Sequence, residues 1–319
     1  MGLLVDGKWV DQWYDTSASG GEFIRQDAQF RNTIGEGSEF PVESNRYHLY
    51  VSLACPWAHR TLIFRKIKKL EQHIGVTVVK AEMLSHGWEL SDEAIASFEK
   101  SPIEDIQYMH EVYTHMDANY NGRVTVPVLW DKKTKRIVNN ESSEIIRILN
   151  TAFNELTDVK TDYYPQALRT QIDEVNELVY HAINNGVYKT GFATQQDVYE
   201  KHFKVLFNAL DTLEARLENQ RYLVGNEITE ADWRLFTTLI RFDSVYFGHF
   251  KTNLRQIESY PNLSNYLRDL FQQPGVSETV NFEHIKMHYY YSHDTINPTR
   301  VVPVGPEINY LSKHDRDRF

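Results

Sequence analysis

Hydrophobic positions change their period twice along the chain. Up to residue 41, aromatics (Trp9, Trp13, Tyr14, Phe23, Phe30, Phe40) are scattered among Gly, Ser, Asp and Gln without a period, which predicts an irregular arm. Tyr47-His-Leu-Tyr-Val-Ser-Leu53 is β-rich and partly alternating, a strand. Leu62, Ile63, Ile67 and Leu70 then recur at helical spacing, and Val76-Thr-Val-Val-Lys-Ala81 reads as a second strand. Together these form a β-α-β unit, whose strands run parallel through a right-handed crossover. The polar stretch 84–107, carrying Trp88, reads as a long excursion with short helices, and 108–116 as a helix. Arg123-Val-Thr-Val-Pro-Val-Leu-Trp130 is a β-run interrupted by Pro127, which cannot donate to a ladder and so belongs at an edge or a strand start. The bond before Pro127 is a candidate for cis. Asp131-Lys-Lys-Thr-Lys135 predicts a charged turn, Arg136-Ile-Val138 a strand pairing back, and Asn139-Asn-Glu-Ser-Ser143 the entry to a helix over 144–149.

Beyond 151 the period becomes helical: Leu168/Ile172/Val175/Leu178/Val179, Phe203/Leu206/Phe207/Leu210/Leu213/Leu217 and Trp233/Phe236/Leu239/Ile240. The fold class is therefore α/β followed by all-α. Expected boundaries are an irregular extension over 1–41, an α/β domain over 42–150, a linker over 151–165, a helical domain over 166–283 and a mostly extended tail over 284–319.

Composition narrows the function classes. The net charge of −10 has the wrong sign for broad contact with phosphate backbones, so nucleic acid is not an expected partner. No apolar run approaches the roughly 18 residues of a spanning helix, and Met1 to Trp9 lacks the basic-then-apolar layout of a secretory signal. With one cysteine, Cys55, an intramolecular disulfide is impossible, and a reducing, cytoplasmic setting fits best. The 19 Tyr within a 13% aromatic content suggest aromatic surface used for more than packing.

Lone cysteines commonly serve as small buried hydrophobes. Cys55 stands instead between a strand and a helix start, with Pro56 suited to the first helical turn. A sulfur there meets the positive end of the helix dipole, which can lower a cysteine pKa from about 8.5 toward roughly 3.5–7.5. His59 and Arg60, one turn on, can add positive potential. Position 58 is Ala, so there is no Cys-x-x-Cys to resolve a disulfide internally. A monothiol must form a mixed disulfide with a small thiol and be released by another, which asks for a glutathione-like partner. A cis Pro127 would expose the Val126 backbone to an extended ligand. Glu141-Ser142-Ser143 offers N–H groups and a hydroxyl to a carboxylate and an acid to an ammonium, although plain helix capping explains those residues equally well.

Other motifs fail on spacing. In His110-Glu-Val-Tyr-Thr-His115 the second His falls one residue late for a zinc-binding i, i+4 pair. His284 and His288 have that spacing but no evident third ligand, so no metal is expected. Gly35-Glu-Gly37 is too little for a phosphate cradle.

These residues resemble the glutathione transferase superfamily, a thioredoxin-like domain followed by a helical one. Tyr222-Leu-Val-Gly225-Asn-Glu-Ile-Thr229-Glu-Ala-Asp232 is similar to that family's buried turn and capping box, a structural element. Cys55-Pro-Trp-Ala-His-Arg60 resembles the active-site motif of the glutathionyl-hydroquinone reductases, the Xi class. The likeness continues through Gly87-Trp88, Val124 to Trp130, Asn139 to Ile146, Asn184-Asn-Gly-Val-Tyr-Lys-Thr-Gly191, Arg241 to Tyr246, Gly248-His249-Phe250 and His288 to His293.

The resemblance implies removal of glutathione from glutathionyl-hydroquinones through a Cys55–glutathione mixed disulfide, with oxidised glutathione as by-product. Glutathione would be a co-substrate, with no tightly bound cofactor. Trp88, Arg123, Val126, Pro127, Glu141 and Ser142 would hold it, Arg123 pairing with a carboxylate. Tyr188, Tyr246 and Tyr289 would surround the quinol ring from the helical domain. A homodimer is the expected assembly. Two other readings share the fold: an omega-like thiol transferase or dehydroascorbate reductase using the same cysteine, and a non-catalytic binding protein. The three phenols argue against the first, and the retained cysteine, turn and glutathione loop against the second.

Overall fold

The computed structural model describes residues 2–91 and 98–319. Part of the expected excursion, 92–97, lies outside the described residues. The chain divides into two compact units: Met1–Trp13, Gln26–Thr161 and Thr279–Ser292 form the first, and Tyr14–Arg25, Asp162–Glu278 and His293–Phe319 the second.

In the first unit, the arm is not irregular throughout. β1 (Leu3–Val5) and β2 (Lys8–Val10) form a hairpin closed by Asp6 and Gly7, with φ of 48° and 71°. Asp-Gly is the pair that tolerates two left-handed residues in a two-residue turn, a signal the aperiodic pattern around it conceals. The central sheet is built on β3 (Tyr47–Val51), buried along its whole length. α1 (Pro56–Ile67) follows, then β4 (Ile74–Leu84), which pairs parallel with β3 and completes the expected β-α-β unit. β5 (Gly87–Leu90) turns back antiparallel on β4, so the start of the excursion is a strand rather than a helix.

α2 (Met109–Met116) is followed by β6 (Gly122–Arg123), which pairs with β1, and by β7 (Val128–Asp131), which pairs with β3. The single β-run of the sequence is thus divided between two sheets. Pro127 sits just before β7, and the Val126–Pro127 bond is cis. β7 is an interior strand, so the proline is accommodated at its entry rather than within its ladder. β8 (Arg136–Asn139) closes the sheet in the order β5-β4-β3-β7-β8, and α3 (Ser142–Thr151) packs against α1.

The second unit is helical. α4 (Arg169–Leu178) runs through a π-helical turn, Val179–Asn184, into α5 (Asn185–Gly191). α6 (Gln196–Leu217) buries Leu206, Phe207, Leu210, Leu213 and Leu217, the face its period predicts. α7 (Glu230–Arg241) leads through a second π-helical turn, Phe242–Tyr246, into the short α8 (Phe247–His249). α9 (Pro261–Phe271) packs on α6 and α7.

The tail departs from the extended conformation expected of it. α10 (Phe282–Ser292) is a helix packed on β4 in the first unit. Asn281 caps it: its carbonyl accepts from Ile285 N at 3.0 Å and its side chain from His284 N at 2.9 Å. Ile285, His288 and Tyr289 form the buried face. The β-rich look of Tyr289-Tyr-Tyr291 hides this i, i+3, i+4 pattern. Among the described residues no helix is long and apolar enough to cross a membrane.

Candidate active site

Cys55 is the N-cap residue of α1, in extended backbone at φ −73° and ψ 121°, with Pro56 in the first turn. Its carbonyl accepts from His59 N at 2.9 Å, the first hydrogen bond of the helix. The sulfur does not cap that helix. It is partly exposed and turns toward the carbonyl of Val126, 3.6 Å away, beside the cis bond to Pro127. The fold therefore brings together the thiol, a helix N-terminus and the loop before β7, as expected.

His59 and Arg60, one turn on, are held by other partners. His59 is fully buried, with Nε2 at 2.8 Å from the Thr279 hydroxyl. Arg60 lies over the Trp57 ring, 4.6 Å from its centroid, and donates to Ser142 Oγ at 3.3 Å. Arg60 thereby joins the start of α1 to the start of α3, a connection the sequence motif does not announce. Glu141 caps α3: Oε1 accepts from Ser143 N at 2.9 Å and Ser143 Oγ at 2.8 Å. The capping reading of Glu141 is correct for that oxygen.

Trp88 stands on β5, 4% exposed, with its ring stacked 4.7 Å from that of His288 on α10. His288 is fixed by a 3.1 Å hydrogen bond to the Ala81 carbonyl. Among the described residues the Trp88 Nε1 has no hydrogen-bond partner. A buried N–H in that condition is disfavoured unless a water or a ligand takes it. Arg123, expected to meet a carboxylate, donates to the arm carbonyls of Gln12 and of Trp13, the latter at 3.2 Å.

Of the three tyrosines, the second unit brings two together. Tyr188 on α5 and Tyr246 at the end of the second π-helical turn have centroids 6.2 Å apart. Phe250 stacks on Tyr246 at 5.4 Å and touches Tyr188 at 5.6 Å, with Phe192 beyond. Each tyrosine follows or ends a π-helical turn, a form that recurs at functional sites because it re-aims side chains against the helical period. Tyr289 belongs to the first unit, on α10 beside His288, and not to the helical unit from which it was expected to act. Behind the aromatic wall, His249 and His293 hydrogen-bond at 3.1 Å. Burial, with Lys251 adding to it, lowers the His249 pKa to about 4, so the pair is held with that ring neutral.

The Thr229–Asp232 element is a capping box around a fully buried carboxylate. Asp232 accepts from Leu223 N, Thr229 N, Thr229 Oγ1 and Tyr266 Oη at 2.9, 2.8, 3.1 and 2.8 Å. A separate cleft of about 400 Å³ in the first unit, lined by Arg31, Asn32, Asn139, Glu144 and Arg147, contains none of the expected site residues. Burial alone would raise the Glu144 carboxyl. The Arg31 guanidinium on both its oxygens, with Asn139, instead holds it below the ordinary range. Among the described residues no group of His, Cys, Asp or Glu could hold a metal ion.

A monothiol at a helix N-terminus beside a cis-proline loop, in a sheet of this order, defines a thioredoxin-like fold. Residues 54–152 match the family model of the glutathione S-transferase N-terminal domain and 196–269 that of the C-terminal domain. The chain belongs to the glutathione S-transferase family. It is 51% identical to the glutathionyl-hydroquinone reductase YqjG of Escherichia coli, across 99% of both chains. It is 52% identical to the glutathionyl-hydroquinone reductase PcpF of Sphingobium chlorophenolicum, across 96% of both. The glutathione-bound structure of YqjG superposes over 100% of both chains with a TM-score of 0.90. A Xi-class transferase from Natrialba magadii does so at 0.94 with 44% identity, covering 100% of this chain and 98% of that one. Within the family, these full-length likenesses put the chain in the Xi class.

Proposed function

We propose that the protein reduces glutathionyl-hydroquinones to hydroquinones with glutathione as co-substrate. The observation that carries this is the Cys55 sulfur at the start of α1, 3.6 Å from the Val126 carbonyl, in a chain 51% identical to a glutathionyl-hydroquinone reductase. The Cys55 thiolate attacks the glutathionyl sulfur of the conjugate. In the keto tautomer of the conjugate the sulfur-bearing ring carbon already carries the former hydroxyl proton. The carbon–sulfur bond breaks, its electron pair passes through the ring onto the adjacent carbonyl oxygen, and that oxygen takes up a proton to give the hydroquinone. Cys55 is left as a mixed disulfide with glutathione. A second glutathione thiolate attacks that glutathione's sulfur, releasing oxidised glutathione and the Cys55 thiolate.

In this reading Trp88, Arg123, Val126, Pro127, Glu141 and Ser142 hold glutathione, within a domain over 42–150. The Trp88 N–H, without a partner among the described residues, supports the assignment, since a bound peptide carbonyl or carboxylate would satisfy it. Ser142, its hydroxyl already accepting from Arg60, offers its backbone N–H at the start of α3. Tyr188, Tyr246 and Tyr289 donate to quinol oxygens and stabilise charge on the ring as the carbon–sulfur bond breaks. The enzyme works as a cytoplasmic homodimer without a tightly bound cofactor.

Incubation with glutathionyl-benzohydroquinone and glutathione should yield one hydroquinone and one oxidised glutathione per turnover, followed by chromatography. An unchanged conjugate, with turnover of simple glutathione mixed disulfides intact, would transfer the protein to the omega-like reading.

A further inference from the structure

The arm residues of the second unit lie against α5, where Tyr188 stands. Phe23 is buried and stacks near Tyr188 with centroids 6.1 Å apart, and Tyr14 packs edge-on to Phe23 at 4.7 Å. The Arg25 guanidinium carbon lies 5.1 Å from the centroid of the Tyr188 ring, and Arg25 Nε donates to Asn185 Oδ1 at 3.0 Å. Asn185 and Tyr188 are three residues apart on α5, so they share a face and one guanidinium reaches both. The segment is anchored independently. Glu22 pairs with Lys189 at 3.1 Å and His202 at 3.2 Å, Thr16 bonds Thr194 at 3.1 Å, and Thr194 N donates to the Gly21 carbonyl at 3.2 Å. None of these anchors needs the Arg25 charge.

We infer that Arg25 is a positioning residue for the quinol half of the reaction, acting through the Tyr188 hydroxyl. The inference rests on the role proposed above for Tyr188. A cation over the face of a phenol draws density from the ring and makes its O–H a stronger hydrogen-bond donor. The ring oxygen of the quinol gains negative charge as the carbon–sulfur bond breaks, so a stronger donor lowers that barrier more than it tightens the ground state. The Asn185 bond fixes the plane of the guanidinium, which a flexible ammonium could not reproduce fully. Release of the mixed disulfide by the second glutathione involves no ring oxygen and gains nothing from Arg25. The arm thus contributes to substrate choice: aromatic conjugates over simple mixed disulfides.

The test compares kcat/KM for glutathionyl-benzohydroquinone with that for a glutathione mixed disulfide of a small alkyl thiol. Arg25→Met should lower the first about five- to tenfold and the second less than twofold. Arg25→Lys, which keeps the charge, should recover part of the loss. In a Tyr188→Phe background, which keeps the ring but removes the hydroxyl, Arg25→Met should change quinol turnover less than twofold. Glu22→Gln loosens the same segment without touching Tyr188 and should change both substrates alike. Equal losses on both substrates for Arg25→Met, or an undiminished loss in the Tyr188→Phe background, would overturn the inference while leaving the reductase reading standing. Failure of the unaltered enzyme to turn over the quinol conjugate would remove that reading, and the inference with it.

Discussion

α1 in the first unit and α7 in the second both begin on a cap residue in extended backbone, Cys55 at φ −73°, ψ 121° and Thr229 at φ −121°, ψ 174°. Each presents first-turn N–H groups that the helix itself cannot pair. At α7 the chain answers from within: Thr229 and Asp232 form a reciprocal capping box, and the same carboxylate takes Leu223 N and Tyr266 Oη. At α1 the cap side chain makes no cap hydrogen bond, and its sulfur lies 3.6 Å from the Val126 carbonyl. The α7 start is completed by its own side chains, whereas the function proposed above gives the α1 cap residue a chemical task. The difference is one of residue type. Oxygen at the cap accepts strongly from N–H, whereas sulfur accepts weakly and is useful for attack instead.

The largest test of this contrast separates activity from stability at Cys55. Cys55→Ser should lower deglutathionylation at least a thousandfold, about 4 kcal/mol in barrier, because a hydroxyl is not ionised at neutral pH. Stability should stay equal or rise by about 0.5 kcal/mol, since serine is a better cap than cysteine. Chemical denaturation together with chromatographic assay reads both. A variant that loses activity and stability in parallel would show that Cys55 holds the helix start after all.

The opposite outcome is expected at α7. Asp232→Ala leaves buried donors at Leu223, Thr229 and Tyr266 without an acceptor and should destabilise by about 3 kcal/mol in a denaturant titration. The folded fraction should keep its turnover. A loss of turnover per folded molecule larger than tenfold would contradict a purely structural role.

Much of this contrast is legible in the sequence, and the reason is local. A cap, a capping box and a Cys-Pro turn are each specified within four residues, so Cys55, Pro56, Thr229 and Asp232 can be placed from type and spacing alone. Pro127 was legible because a missing N–H restricts its place in any sheet. What was not legible depends on partners distant in the chain. The arm hairpin carries a local Asp6-Gly7 turn signal, but its place in a three-stranded sheet depends on β6, some 120 residues away, as Leu3 meets Arg123. α10 was read as extended because its aromatic run satisfies a strand pattern, and only packing on β4 and the Asn281 cap decide for helix. Tyr289 consequently moved to the other unit. The π-helical turns that carry Tyr246 and precede Tyr188 break the 3.6-residue period, so a periodic reading passes over them.

A third test probes a buried histidine pair of the helical unit through pH. His249 is buried neutral against His293, with Lys251 nearby, and its pKa falls from the ordinary 6.5 to about 4. The unfolded chain takes up a proton there below 6.5, the folded one only near 4, so this contribution is complete above 6.5 and is lost as pH falls. Between pH 7.5 and 4.5 the loss should be about 2–3 kcal/mol. His249→Gln should show a correspondingly shallower fall in Tm over that range. His48 in the first unit, lowered to about 3 by burial with Lys132 and Arg65 adding to it, titrates in both proteins and cancels. Identical pH slopes would mean that the histidine pair is open to protons in the folded state.

The smallest expected effect is the most discriminating, because its two readouts have opposite signs. The Trp88 indole is 4% exposed and stacked on His288, yet among the described residues its N–H has no partner. If the first unit keeps polar groups for a ligand, Trp88→Phe removes a donor that glutathione uses while preserving the ring. Glutathione affinity, measured by calorimetry in a Cys55→Ala background where no mixed disulfide forms, should weaken about five- to tenfold, near 1 kcal/mol. Cys55→Ala alone should bind with nearly unchanged affinity. The ligand-free protein should be as stable or slightly more stable by thermal unfolding, since deleting an unsatisfied buried donor relieves a desolvation penalty. A loss of stability with no loss of affinity would reverse the assignment and make Trp88 a packing residue, its N–H unrelated to glutathione.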